Sequence, residues 1–213
     1  MRKYLLIVAI VGLWSCTPTV KEKSTVSNAK DTAKVLLADT EPQVADSRKK
    51  IIAELNKLSD AIAKKDKPVI LSFFNFPIAD SAVNFFEVDT VFDAKRQSNG
   101  EITKEMFSNS FNNLYELTEM AELNALFKYL NTADLMKKSH IDYTKEVEDD
   151  GCIYLYGISI KGVEVYLNYG TNSSDSYRKK HPDEEEVCSE YGVSWGFKFD
   201  GEKLKFFQHR IAG

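Results

Sequence analysis

From about residue 140 to the end, the chain is a series of short segments crowded with aromatic and β-branched residues: 141–147, 152–160, 163–169, 187–199 and 203–211. Such segments, parted by turn dipeptides, specify an antiparallel sheet. Lys161-Gly162 separates two of them and Asp200-Gly201 separates the last two, the second being the stronger hairpin signal. The segment 187–199 alternates along its length. Val187, Tyr191, Val193, Trp195, Phe197 and Phe199 fall on one face, with Glu190, Gly192, Ser194, Gly196 and Lys198 on the other. Alternation of this kind marks one buried and one wetter face.

The turns set an expected register. A two-residue Asp200-Gly201 loop pairs Phe197 with Leu204, Trp195 with Phe206, Val193 with Gln208 and Tyr191 with Arg210, whereas a three-residue loop inverts the last strand. In the other hairpin, Ile160 and Ile158 face Val163 and Val165, and Tyr156 and Tyr154 follow toward Leu167 and Tyr169. On this reading the inner face grades from aliphatic residues into Tyr154, Tyr156, Tyr169, Tyr191, Gln208 and Arg210, the composition of a pocket mouth. The plainer reading is that these polar tips reach solvent at the sheet edge. His209 falls on the outer face, opposite Gly192.

Helices precede the sheet. Asp46 and Ser47 are expected N-caps, and Ile51, Ile52, Leu55, Leu58 and Ile62 share one helical face while Lys49, Glu54, Lys57 and Lys64 face away. Residues 69–78 are too apolar for the surface, and Pro77 ends any helix there. Residues 84–89 read as a strand and 98–100 as a loop. Thr103 is the next expected N-cap, with Ile102 and Phe107 as a hydrophobic staple. Met106, Phe107, Phe111, Leu114 and Tyr115 form one stripe, and Met120, Leu123, Phe127 and Leu130 another. Such wide apolar faces need a sheet to cover.

At the other end, Arg2 and Lys3 precede an uncharged apolar run from Leu5 to Trp14. At about 1.5 Å per residue it is too short to cross a hydrocarbon core of roughly 30 Å, so it reads as the hydrophobic region of a signal peptide. Leu13-Trp14-Ser15-Cys16 resembles the lipobox of bacterial lipoproteins, with a bulkier residue than usual at Trp14. The resemblance implies cleavage before Cys16, diacylglycerol on its thiol and acylation of its amine; several acyl chains anchor stably. Thr17 in place of Asp points, by that family's sorting rule, to the outer membrane. Residues 16–45, free of aromatics, are expected to be the lipidated cysteine and a flexible tether, and 46–213 one domain.

Loss of Arg2 and Lys3 takes the net charge from −4 to −6. With no basic patch, nucleic acid is not an expected partner. Cys152 and Cys188 are left to form one disulfide in an oxidising compartment. A reactive or metal-binding pair is the alternative, without CxxC or Cys/His spacing to support it. In the register above Cys152 points inward and Cys188 outward, so the bond requires a bulge or a loop.

His140 and Asp142, two apart at a strand start, share a face and are the candidate acid/base pair; a lone His-x-Asp is common, and a solvated strand edge is the plainer explanation. The acidic runs at 148–151 and 181–186 match no calcium-loop spacing, and no metal or other cofactor is expected. No GxSxG, HExxH or P-loop occurs.

FNFPI at 74–78, ITKEMF at 102–107 and the final hairpin ending WGFKFDGEKLKFF resemble the nuclear transport factor 2-like (cystatin-like, SnoaL-like) superfamily over about residues 46–213. The resemblance implies an α+β fold in which N-terminal helices cover the concave face of a strongly curved antiparallel sheet, enclosing a conical pocket. Some relatives are isomerases, dehydratases or hydrolases with an Asp or His inside the cone, and many are non-catalytic. None of the carrying motifs is catalytic, and fold alone does not give function. The leading expectation is therefore a lipid-anchored, non-catalytic envelope module that binds a small molecule, peptide or envelope protein. A cone-fold enzyme using Asp142 or His140 stands second, and a structural or immunity-type protein acting through its outer sheet face third.

Overall fold

A computed structural model of the chain describes residues 40–147, 151–183 and 188–213, the side chains of 40–43 excepted. The expected signal peptide, Cys16 and most of the tether lie outside the described residues, as do the acids at 148–150 and 184–186 and Val187.

The first helix, α1 (Thr40–Ala63), starts before the expected caps Asp46 and Ser47, so the end of the expected tether is helical. Its predicted stripe is its buried face: Ile51, Ile52, Leu55, Leu58 and Ile62 are all 9% exposed or less. Asp66 caps a short α2 (Lys67–Leu71). Residues 84–89, read above as a strand, form none; Asp89 instead accepts from Phe92 N–H and opens α3 (Thr90–Asn99). Gly100, at φ +67°, closes that helix where the sequence reading placed a loop. Two-residue strands β1 (Ile78–Ala79) and β2 (Glu101–Ile102) pair with each other. Thr103 caps α4 (Lys104–Asn109) through Met106 N–H as expected. The first expected stripe is divided at Ser110 between α4 and α5 (Phe111–Leu117), and the second falls on or beside α6 (Glu122–Tyr129), with Glu119 at φ +58° between α5 and α6.

Five strands form one antiparallel sheet in the order β3 (His140–Val147), β4 (Cys152–Lys161), β5 (Glu164–Ser173), β6 (Tyr191–Phe199) and β7 (Leu204–Ala212). The fold is thus α+β. One face of the sheet shares a single hydrophobic core with the helices, Phe73, Phe85, Phe107, Leu114, Leu123 and Leu126 meeting Ile158, Leu167, Trp195 and Phe206. At about 25 cal/mol per Å² of apolar surface withdrawn from water, this burial is the main force holding the layers together. Helix α6 lies against β4 and β5 and α1 reaches β7. A short α7 (Asp175–Lys180) follows β5.

Both expected hairpin registers need correction. In the first, Gly162 and Val163 are the two turn residues, with Gly162 at φ +64°, so Ile160 pairs with Val165 and Tyr156 with Tyr169. The faces survive because the shift is two residues. In the second, Asp200 accepts from the N–H groups of Glu202 and Lys203, closing a four-residue turn that pairs Phe199 with Leu204 and Phe197 with Phe206. A bulge beside Gly196/Phe197 then adds a residue, and Gln208 pairs with Gly196, His209 with Trp195 and Arg210 with Ser194. Gly196 accommodates the bulge: a Cβ there would stand 2.7 Å from Gln208 Cγ and 2.9 Å from Phe207 Cζ.

Cys152 and Cys188 are bonded, with Cα atoms 5.5 Å apart. The expected conflict of faces dissolves because β6 begins at Tyr191, leaving Cys188 in the preceding loop. Ser173 fixes that loop, its hydroxyl accepting from Cys188 N–H and donating to Cys188 C=O, each at 3.1 Å.

Candidate functional site

Four of the six residues expected at a pocket mouth come together on the inner face, and two do not. Tyr156 and Tyr169 lie with ring centroids 5.6 Å apart, and Tyr169 meets Tyr191 at 5.9 Å. Tyr154 lies two residues further along β4 and carries Lys145 over its ring. The bulge turns Gln208 and Arg210 to the outer face, where Arg210 reaches the Ser81 carbonyl. His209 takes the inner position instead and is fully buried. It stands 4.5 Å from Trp195 and 5.1 Å from Phe85, centroid to centroid. Burial pushes its imidazole down to about 4, helped by Arg210 and opposed by the Thr118 backbone. It is a neutral core residue at ordinary pH.

The inner cluster is completed by residues the sequence reading did not select. Tyr129 on α6 stacks on Tyr143 at 4.9 Å and meets Tyr156 at 5.4 Å. Tyr169 donates to Tyr191, whose hydroxyl donates in turn to Glu119 at 3.3 Å. Burial holds Tyr169 and Tyr191 above their ordinary range and Tyr156 at about 12, so all three are neutral phenols, not phenolates. Burial, reinforced by Glu122, also raises the Glu119 carboxyl, while the bond from Tyr191 works against that rise. Nothing in a single-residue pattern announces Glu119; it faces the tyrosines because the chain takes a left-handed turn there.

The reverse side of the same strands is open. Tyr156-Gly157, Tyr169-Gly170 and Tyr191-Gly192 occur on three successive strands. A strand sends successive residues to opposite faces, so each dipeptide puts a ring inside and no side chain outside. The result is a groove of about 560 Å³ on the outer face, which His140, Asp142, Leu155, Asn168, Asn172 and Glu190 also line. The repeated Tyr-Gly dipeptide is the signal that could have located it.

The three glycines are not equivalent. A Cβ at Gly170 would stand 2.9 Å from Tyr191 C=O, so the close approach of β5 and β6 demands glycine. At Gly157 it would meet the His140 ring at 3.5 Å, ordinary contact. At Gly192 the nearest atom, Tyr169 O, is 3.9 Å away. Packing does not require glycine at 192, although glycine costs a strand roughly 0.5–1 kcal/mol relative to alanine.

His140 and Asp142 share the outer face as expected, Nε2 standing 3.3 Å from Asp142 Oδ1, with both side chains more than half exposed. The pair walls the groove and has no access to the inner tyrosines. Among the described residues no group of three or more His, Cys, Asp or Glu side chains is placed to hold a metal ion, and no helix is long and apolar enough to cross a membrane. No protein-family model, curated protein or solved structure matches the chain.

Proposed function

We propose that this chain is a lipid-anchored module of the bacterial cell envelope that captures a small ligand in the groove on its outer sheet face. The observation that carries the reading is Gly192. A residue that the packing would let be larger is kept without a side chain, on the floor of a groove, at a cost to its strand. Glycine within a strand marks close approach by a ligand or another backbone, and here the fold supplies no second backbone at 192. Wall groups of mixed chemistry, with Leu155 beside carboxamides and carboxylates, fit ligand recognition.

The lipobox-like residues Leu13, Ser15 and Cys16 support the anchor and Thr17 supports the outer membrane. The likeness to nuclear transport factor 2-like domains, with its strongly curved, cone-like sheet, belongs to the same proposal. It is supported by an α+β order in which helices precede the strands and share one core with them. Intact mass after export tests the anchor: acyl mass on Cys16 is expected, and an unmodified cysteine overturns it. A fragment screen read by amide shifts tests the groove. Hits gathering on Gly170 and Gly192 support it, and hits confined to other surfaces overturn it.

One observation favours an enzyme as the second reading. Glu119, half-buried, raised and bonded to Tyr191, is a better acid/base candidate than the exposed His140 and Asp142. Conversion of any carbonyl or ester substrate that Glu119→Gln abolishes would move the function to the inner face.

A further inference from the structure

The groove also has a chemistry that selects among ligand classes. Resting on the reading of the groove as the binding site, we propose that its ligand is a neutral saccharide that lies flat on the glycine floor.

The floor is the first argument. Gly170 pairs with Gly192 on one side and with Leu155 on the other, so two Cα positions and one exposed aliphatic side chain form a continuous patch without projecting polar atoms. A pyranose ring offers a matching flat array of C–H groups. Its hydroxyls then point outward in the ring plane, where they need planar partners that both donate and accept. Asn168 and Asn172 provide them on the same face of β5, one on each side of Gly170. Four residues of strand rise separate them, roughly 13 Å, enough for two linked rings.

These amides have free capacity. Asn172 Oδ1 accepts from Ser173 N–H and from Arg178, which leaves both Nδ2 hydrogens to donate. Asn168, half-buried, makes no side-chain hydrogen bond among the described residues. Asp142 and Glu190 add acceptors at the wall.

Charge completes the selection. No lysine or arginine is among the groove's described lining residues, while two carboxylates are; Arg178 reaches Asn172 Oδ1 from outside that lining, so a phosphate, sulfate or carboxylate on the glycine floor meets carboxylates and no cation on the groove's own walls. A cation meets carboxylates that stand in solvent: Asp142 has 71% of its side chain exposed, and Glu190 is exposed too. Water and salt screen such charges, so they attract an ammonium group only weakly. The sheltered polar groups are the neutral carboxamides, and they set the preference.

The test is an amide-shift titration of the full-length protein with N,N′-diacetylchitobiose and cellobiose, beside spermidine, trialanine and inorganic phosphate. Saturable shifts at Asn168, Gly170 and Gly192 with at least one of the sugars are expected, weakened tenfold or more in Gly192→Val and several-fold in Asn168→Ala. Both variants should keep the parent melting temperature to within a few degrees, which separates a blocked groove from a damaged fold. If spermidine, trialanine or phosphate shifts these amides and neither sugar does, the saccharide assignment falls while the groove stands. If no probe moves them, both fall.

Discussion

Tyr169 and Gly170 are consecutive residues of one strand, and they meet opposite environments. The tyrosine is buried between Tyr156 and Tyr191 and donates into a chain that ends at Glu119. The glycine, on the other face, forms part of an open groove. The same contrast recurs at Tyr156-Gly157 and Tyr191-Gly192. Inside, large rings fill space and their hydroxyls are tied together, so the inner face at this end is spent on packing. Outside, the absence of side chains makes room while the polar walls keep free valences. Aromatic residues with polar tips attract attention as a pocket, but their mutual contacts are what close it. The residues with nothing to show are the ones that leave a place for something else.

The contrast breaks most visibly on the inner face. Tyr169→Ala removes a buried ring from two tyrosine neighbours and should cost about 3–5 kcal/mol, the range for large aromatic truncations. Urea unfolding measures it, and a loss below about 1 kcal/mol would mean that the cluster is not packed. His209 sharpens the same side through pH. Its imidazole falls from 6.5 in the unfolded chain to about 4 in the folded one. Between those values the unfolded state holds the extra proton, so stability falls as pH drops through that window and is flat above it. At about 1.4 kcal/mol per unit the full loss is about 3 kcal/mol. Glu119 acts with the opposite sign, because its raised carboxyl adds stability at low pH that disappears as pH rises through its folded value. Unfolding of wild type and His209→Phe at pH 7 and pH 4.5 isolates the histidine. An unchanged pH slope in the variant would show that His209 is not the buried neutral group.

The disulfide ties together the end where both faces meet. It joins residues 36 apart in sequence, and the loop it holds leads through Glu190 to Tyr191. Cys188→Ser should cost about 2–4 kcal/mol by loop-closure entropy. If Ser173 alone fixes the loop through its two bonds to Cys188, the measured cost will lie near the lower end. A variant as stable as the parent would mean that the bond constrains neither face.

The main layers were legible because they obey simple periods. The stripe Ile51, Ile52, Leu55, Leu58 and Ile62 repeats at helical spacing, and Tyr191, Val193, Trp195, Phe197 and Phe199 at strand spacing; each is a single face of one element. What failed depended on one-residue events that period cannot register. The bulge opposite Gly196 exchanged the faces of Gln208, His209 and Arg210, because a slip of one residue inverts a strand, whereas the longer Asp200 turn moved the register by two and left the faces of Leu204 and Phe206 intact. Residues 84–89 are rich in strand-forming types, yet Phe85 and Val88 are buried one by one from an irregular segment. The Cys152–Cys188 pairing was legible from counting, while its geometry depended on where β6 starts. The groove was half legible. His140 and Asp142 were chosen for their chemistry and line it, but its floor consists of glycines, which no search for reactive side chains selects.

The smallest expected effect distinguishes the outer face most cleanly. Gly170→Ala and Gly192→Ala make the same change, on paired positions of adjacent strands, on the same face. At 170 the new methyl collides with the Tyr191 carbonyl at 2.9 Å, a backbone atom held in the ladder, so β5 and β6 must separate at a cost of about 1–3 kcal/mol. At 192 it enters open space with only Tyr169 O at 3.9 Å, and removing a glycine from a strand should add about 0.5–1 kcal/mol. Parallel urea melts therefore predict opposite signs for one methyl group. Opposite signs mean that glycine at 192 is kept for room and not for folding, which is the condition a ligand site requires. Equal losses would mean that both glycines serve strand pairing, and the groove would be only the by-product of a close-packed sheet.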